Sequence, residues 1–151
     1  MHAVDPDVVA RRAGVGQGSL YRHFPDRLSL ALAAFAENIA ELEAAAAAPG
    51  STLDDLLGLL TEQVISAAAF LDVLSGHAAD PRVAAMSERV TAVLAAKLPE
   101  ARRSGRYGPH VEPADLLMAV GMVSGLVAKT GAADRRATAD RAWALRHRAL
   151  R

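Results

Sequence analysis

The sequence predicts an all-α fold, and three observations carry that prediction. Hydrophobic residues make up 52% of the chain while aromatics make up only 4%, so alanine and leucine bear the apolar load, which favours close-packed helices over sheets. Apolar residues recur at spacings of three and four between Asp-Pro or Glu-Pro starts and Gly or Pro stops, the punctuation of helices. No strand-like alternation persists and no internal repeat is evident. A length of 151 residues suits one compact core, or a small headpiece plus a core.

The first stretch with internal logic is Asp5 to Arg27. Asp5 suits an N-cap, and Pro6 the first helical position. Val9, Ala10 and Ala13 give a small apolar face, and Gly14 closes the helix. Gly16 and Gly18 flank Gln17 before a second short helix, Ser19 to Phe24, which Pro25 stops. Asp26 caps a long helix to Ala48, with Leu28, Leu32, Phe35, Ile39 and Leu42 in one stripe, and Pro49-Gly50 ends it. Ser51 or Thr52 caps the next helix, expected to run unbroken to about Leu74. Its core face is Leu53, Leu56, Leu57, Leu60, Val64 and Ala68, widened by Leu59 and Ile65. Asp80-Pro81 opens a helix from Arg82 to Leu98 that Pro99 is expected to end. The segment 100–111, rich in Arg and Gly, reads as loop, with or without a short helical extension. Glu112-Pro113 opens a helix to about Thr130, and an arginine-rich helix follows from Ala133 to Leu150.

Composition narrows the function classes. Formal net charge is +0, so any electrostatic footprint for nucleic acid is local. With no cysteine, disulfides, thiolate metal sites and a cysteine nucleophile are excluded. The start MHAVDPDVV lacks the basic and apolar runs of a signal peptide. The longest conspicuous uncharged run, Leu116 to Ala128, is shorter than the roughly 18 residues of a membrane span. The chain is therefore expected to be cytoplasmic, without a membrane partner. His2, His23, His77, His110 and His147 are scattered, with no pair at metal-ligand spacing. Ser66, Ser75 and Ser124 have no nucleophile-elbow context. No catalytic residue, metal or cofactor is expected.

Two helices across a glycine turn form the DNA-reading helix-turn-helix. The second helix and its approach carry Gln17, Ser19, Tyr21, Arg22 and His23, side chains suited to base edges and phosphates, with Leu20 and Phe24 left to face inward. The segment AGVGQGSLYRHFPDRL resembles the signature of TetR-type transcriptional regulators, with Ala13, Gly14, Val15, Gly18, Ser19, Leu20, Tyr21, His23, Phe24, Arg27 and Leu28 in register. The resemblance implies that Gln17, Gly18 and Ser19 open the reading helix toward bases and that Tyr21, His23 and Arg27 meet phosphates; the guanidinium of Arg22 suits a guanine edge. The resemblance also implies a first helix beneath the motif, which the four residues before Asp5 are too few to supply. The expected organisation is a partial headpiece over residues 1–27 and a ligand-binding and dimerisation core over 28–151.

The same resemblance implies a homodimer built from the last two helices. Gly121, Gly125 and Ala128 lie at small-residue spacings that leave room for another helix. Gly121, Ser124, Gly125, Ala128, Trp143 and Leu145 are the candidates for that interface, with ordinary intrachain packing as the alternative. A small-molecule effector among the middle helices is implied too; its candidate contacts are Gln63, Ser66, Phe70, His77, Met86, Met118 and Met122, polar or adaptable groups within apolar segments. The function implied is a ligand-released repressor on operator DNA. The alternative is a dimeric helical module that binds a small molecule or a protein and no longer reads DNA.

Overall fold

The computed structural model describes residues 25–151, all of whose regular elements are helices. The expectations placed on Asp5 to Phe24, including the DNA-contact candidates Gln17, Gly18, Ser19, Tyr21, Arg22 and His23, lie outside the described residues. The order is α1 (Arg27–Ala47), α2 (Leu53–Ser66), α3 (Ala68–Gly76), α4 (Pro81–Arg103), α5 (Pro113–Ala128) and α6 (Arg135–Ala149).

The starts follow the expected capping chemistry. Asp26 accepts the Ser29 N–H at 2.6 Å and opens α1. Thr52, not Ser51, caps α2. Its hydroxyl accepts from the Asp55 N–H at 3.2 Å, and the Asp55 carboxylate takes the Thr52 N–H at 2.8 Å, a reciprocal capping box. Asp80-Pro81 and Glu112-Pro113 open α4 and α5 with proline in the first turn.

Two expectations are corrected. The helix expected to run unbroken to Leu74 is two helices, α2 and α3, which meet at Ala67 with a bend of 91°. No strong helix breaker occurs in Ser66-Ala67-Ala68-Ala69, so tertiary packing overrides local propensity. The bend seats Val64 and Ala68 together against Val123 and Val127 of α5 and Ala139 and Ala142 of α6. Pro99 also fails to end its helix, since α4 continues to Arg103. Pro99 is exposed, so solvent can serve the carbonyl that loses its partner. The true stop is a Schellman closure around Gly105, whose φ is +70°. There the Gly105 N–H reaches the Arg102 carbonyl and the Arg106 N–H the Ala101 carbonyl, at 3.0 and 3.1 Å.

A larger core joins Leu42 of α1, Leu53, Leu56, Leu57 and Leu60 of α2, Leu94 and Leu98 of α4 and Leu116 of α5. Each such leucine contributes roughly 2 kcal/mol by leaving water. Tyr107 and Val111, from the segment read as loop, belong to the same core. Trp143 bridges the two clusters. Among the described residues, no single helix is long and apolar enough to cross a membrane.

Candidate functional site

Arg27 is the one DNA-contact candidate among the described residues, and it is exposed at the first position of α1. Its neighbour Asp26 caps this end of α1 and lies in the field of Arg82 at the start of α4. The Ser29 backbone N–H and hydroxyl hold the Asp26 carboxyl below its usual range, helped by the Arg82 guanidinium. Further along, Arg89 of α4 grips Glu43 of α1 through two bonds of 2.9 and 2.8 Å, and the Glu43 carboxyl is lowered by that contact. From within, the buried Gln63 amide donates to the Asn38 carbonyl at 2.9 Å and to Glu41 Oε2 at 3.1 Å. The helix that follows the sequence motif is thus held by its cap, by α2 and by α4.

The seven ligand candidates do not converge. Gln63 is committed to α1, while Ser66 and His77 are exposed and Phe70 and Met86 half-buried. The Nδ1 of His77 lies 2.7 Å from the Val73 carbonyl of its own helix. Met118 and Met122 lie on the outside of α5, at 60% and 39% exposure.

Those two methionines belong with the dimer candidates. Leu126 at 51% and Leu145 at 61% are also exposed, and Gly121 and Gly125 lie open between Met118, Met122 and Leu126 on α5. A Cβ at either glycine would meet nothing within 4 Å in the protomer. Arg146 of α6 contacts the Met122 sulfur. Ser124 and Ala128 are half-buried on the flank of this face, and the Ser124 hydroxyl is used by the Val120 carbonyl at 2.8 Å. Trp143 points elsewhere. Its indole N–H donates to the Thr61 hydroxyl of α2 at 2.8 Å, an intrachain contact.

A different cluster, which sequence reasoning passed over, surrounds Asp54 in the first turn of α2. Three cavities share this residue, of about 200, 180 and 410 Å³. The Tyr107 hydroxyl donates to Asp54 Oδ1 at 2.8 Å, and Arg106 is ion-paired with Oδ2. Burial, reinforced by Asp54, pushes the Tyr107 phenol far above its usual range, so it stays a donor. The His147 ring stands edge-on to Tyr107 at 6.2 Å and tilted against Trp143 at 5.8 Å. Gly108 ties this loop to the end of α6. Its N–H donates to the Leu150 carbonyl at 2.8 Å, and a Cβ there would strike the His110 ring at 2.5 Å and the Arg151 backbone at 3.0 Å. The only sequence signal was one tyrosine in an Arg/Gly-rich loop.

An all-helical core with an exposed small-residue face, preceded in sequence by a helix-turn-helix-like segment, is the arrangement expected of helical DNA-binding regulators. Residues 1–34 match the family model described as bacterial regulatory proteins, tetR family. The chain is also similar to the crystal structure of the TetR transcriptional regulator SCO0520 from Streptomyces coelicolor, at 26% identity and a TM-score of 0.62, over 94% of this chain and 84% of that one. No curated protein matches. The sequence of residues 1–34 is thus similar to the TetR-type helix-turn-helix segment, and the fold to that of a TetR regulator.

Proposed function

We propose that the protein is a homodimeric repressor that leaves operator DNA when a small molecule binds its core. The observation that carries this reading is the family match over residues 1–34, which spans all seven DNA-contact candidates from Gln17 to Arg27. Residues 1–27 act as the reading head and 28–151 as the ligand-binding and dimerisation core. A dimer is supported by the exposed face of Met118, Gly121, Met122, Gly125, Leu126 and Leu145, because one head covers only half of a palindromic site. Release is a population shift in which the effector favours a core arrangement that changes the tilt of α1. The grips of Gln63 and Arg89 on α1 are the contacts through which the core acts on it.

The test is operator selection from random DNA with the 151-residue chain, followed by affinity measured against salt. Binding should weaken with a slope of about −0.9 per neutralised phosphate. Tyr21→Ala and Arg27→Ala should weaken all sequences alike, as phosphate contacts do. A flat salt response, or loss confined to one operator, contradicts those roles.

A further inference from the structure

We infer, resting on the homodimer reading above, that the α5–α6 face closes against a surplus of its own positive charge, so that salt tightens the dimer. The apolar part of the face is Met118, Met122, Leu126 and Leu145, with Gly121 and Gly125 open between the α5 members.

Helix geometry places the charged groups. Arg141 and Arg148 stand four residues before and three residues after Leu145, so the three share one side of α6. Both arginines are exposed, and neither has an ion pair among the described residues. Arg146 reaches the face from its α5 side and lies on the Met122 sulfur. Asp115 precedes Met118 by three residues and Lys129 follows Leu126 by three, so they mark the two ends of the α5 stripe. Asp134 stands at the N-cap of α6, seven residues before Arg141. Four cations thus meet two carboxylates, a surplus of two positive charges per copy. The remaining charges of α6 face elsewhere. Arg136, Asp140 and His147 line the groove toward α2, where Arg136 is ion-paired with Glu62. Arg151, with its terminal carboxylate, lines the Asp54 cleft beside His147. Arg135 is half-buried and bonded to the Thr130 carbonyl at 3.2 Å; counting it would only enlarge the surplus.

Symmetry decides what that surplus does. An isologous interface lays one patch against an identical patch. No shift of register can then match the charge, because each copy brings the same excess. The apolar side chains supply the attraction, and the guanidinium groups oppose it. Arg146 is the worst placed, since closing the face strips water from a cation that has no carboxylate partner among the described residues. Two charges facing two across roughly 12 Å of water weaken association about tenfold. The Debye length falls from about 30 Å at 0.01 M salt to about 8 Å at 0.15 M, which removes most of that repulsion. Phosphate contacts weaken over the same range, so salt acts in opposite senses on the dimer and on DNA binding.

Sedimentation equilibrium of the DNA-free 151-residue chain, in sodium chloride from about 0.01 M to about 0.15 M, reads this directly. The dimer dissociation constant should fall about tenfold across that range. Arg141→Glu balances the face at three charges of each sign. It should dimerise more tightly than the native chain at the lowest salt and lose the salt dependence, which separates screening from a general salting-out of apolar surface. Lys97→Gln removes a cation from the cleft between α2 and α4 and should keep the native slope. A dissociation constant that is flat or rises with salt, or an Arg141→Glu variant with the native slope, would overturn the inference and leave the dimer standing. A monomer at every salt concentration would overturn the homodimer reading and this inference together, and leave the face to an acidic partner.

Discussion

Gln63 is an amide among apolar neighbours, buried on a helix face otherwise made of Leu53, Leu56, Leu57, Leu60, Thr61 and Val64. Its two bonds to α1, one of them to the Glu41 carboxylate, offset the cost of burying it. Gln63→Leu should cost about 1–2 kcal/mol in urea unfolding; no loss would mean that the α1–α2 grip contributes nothing. Tyr107 carries the clearest pH signature. Its folded phenol titrates well above the unfolded value of about 10, so the folded state holds the proton more tightly. The stability this provides is present below pH 10 and is lost as pH rises above it. Tyr107→Phe should lower stability at neutral pH by about 1 kcal/mol and flatten the alkaline decline in a melting series. An unchanged alkaline limb would place its cause elsewhere. At this scale the sequence was partly legible. Gln63 stood out as a polar residue in an apolar segment, but its partners lie more than twenty positions away. Asp54 and Tyr107 are 53 positions apart, and no local pattern joins them.

At the scale of elements, helix starts were the most legible feature, because a cap is a contract between residues two or three apart. Asp26, Thr52 with Asp55, and Asp80 all do locally what their positions announce. Thr52→Ala removes one arm of the α2 capping box and should cost about 1 kcal/mol, read as a lower midpoint in thermal unfolding. A stability unchanged within error would show that Ser51 or solvent takes over the cap. Breaks and extensions were less legible. The bend at Ala67 follows from what Val64 and Ala68 pack against, and the run of α4 through Pro99 from where that proline faces. Both are decided by neighbours distant in sequence, which short-range periodicity does not contain.

At the scale of the whole molecule, the fold class followed directly from composition and period, and the family resemblance from one gapless motif. The face proposed for dimerisation was legible only as small-residue spacing on α5; the structure adds that a side chain at Gly121 meets empty space within the protomer. Gly121→Leu should therefore fold at least as stably as the native chain, since a mid-helix glycine is itself unfavourable, yet run as a monomer in light scattering. A folded dimer would remove this face from the interface. The central claim is that two copies present two reading heads to one operator, and a footprint on a selected DNA fragment tests it most directly. The native chain should protect two half-sites related by a two-fold axis, about one helical turn or a multiple apart, and Gly121→Leu should lose that paired protection. Protection of no defined sequence by the native chain, even at low salt, would contradict it.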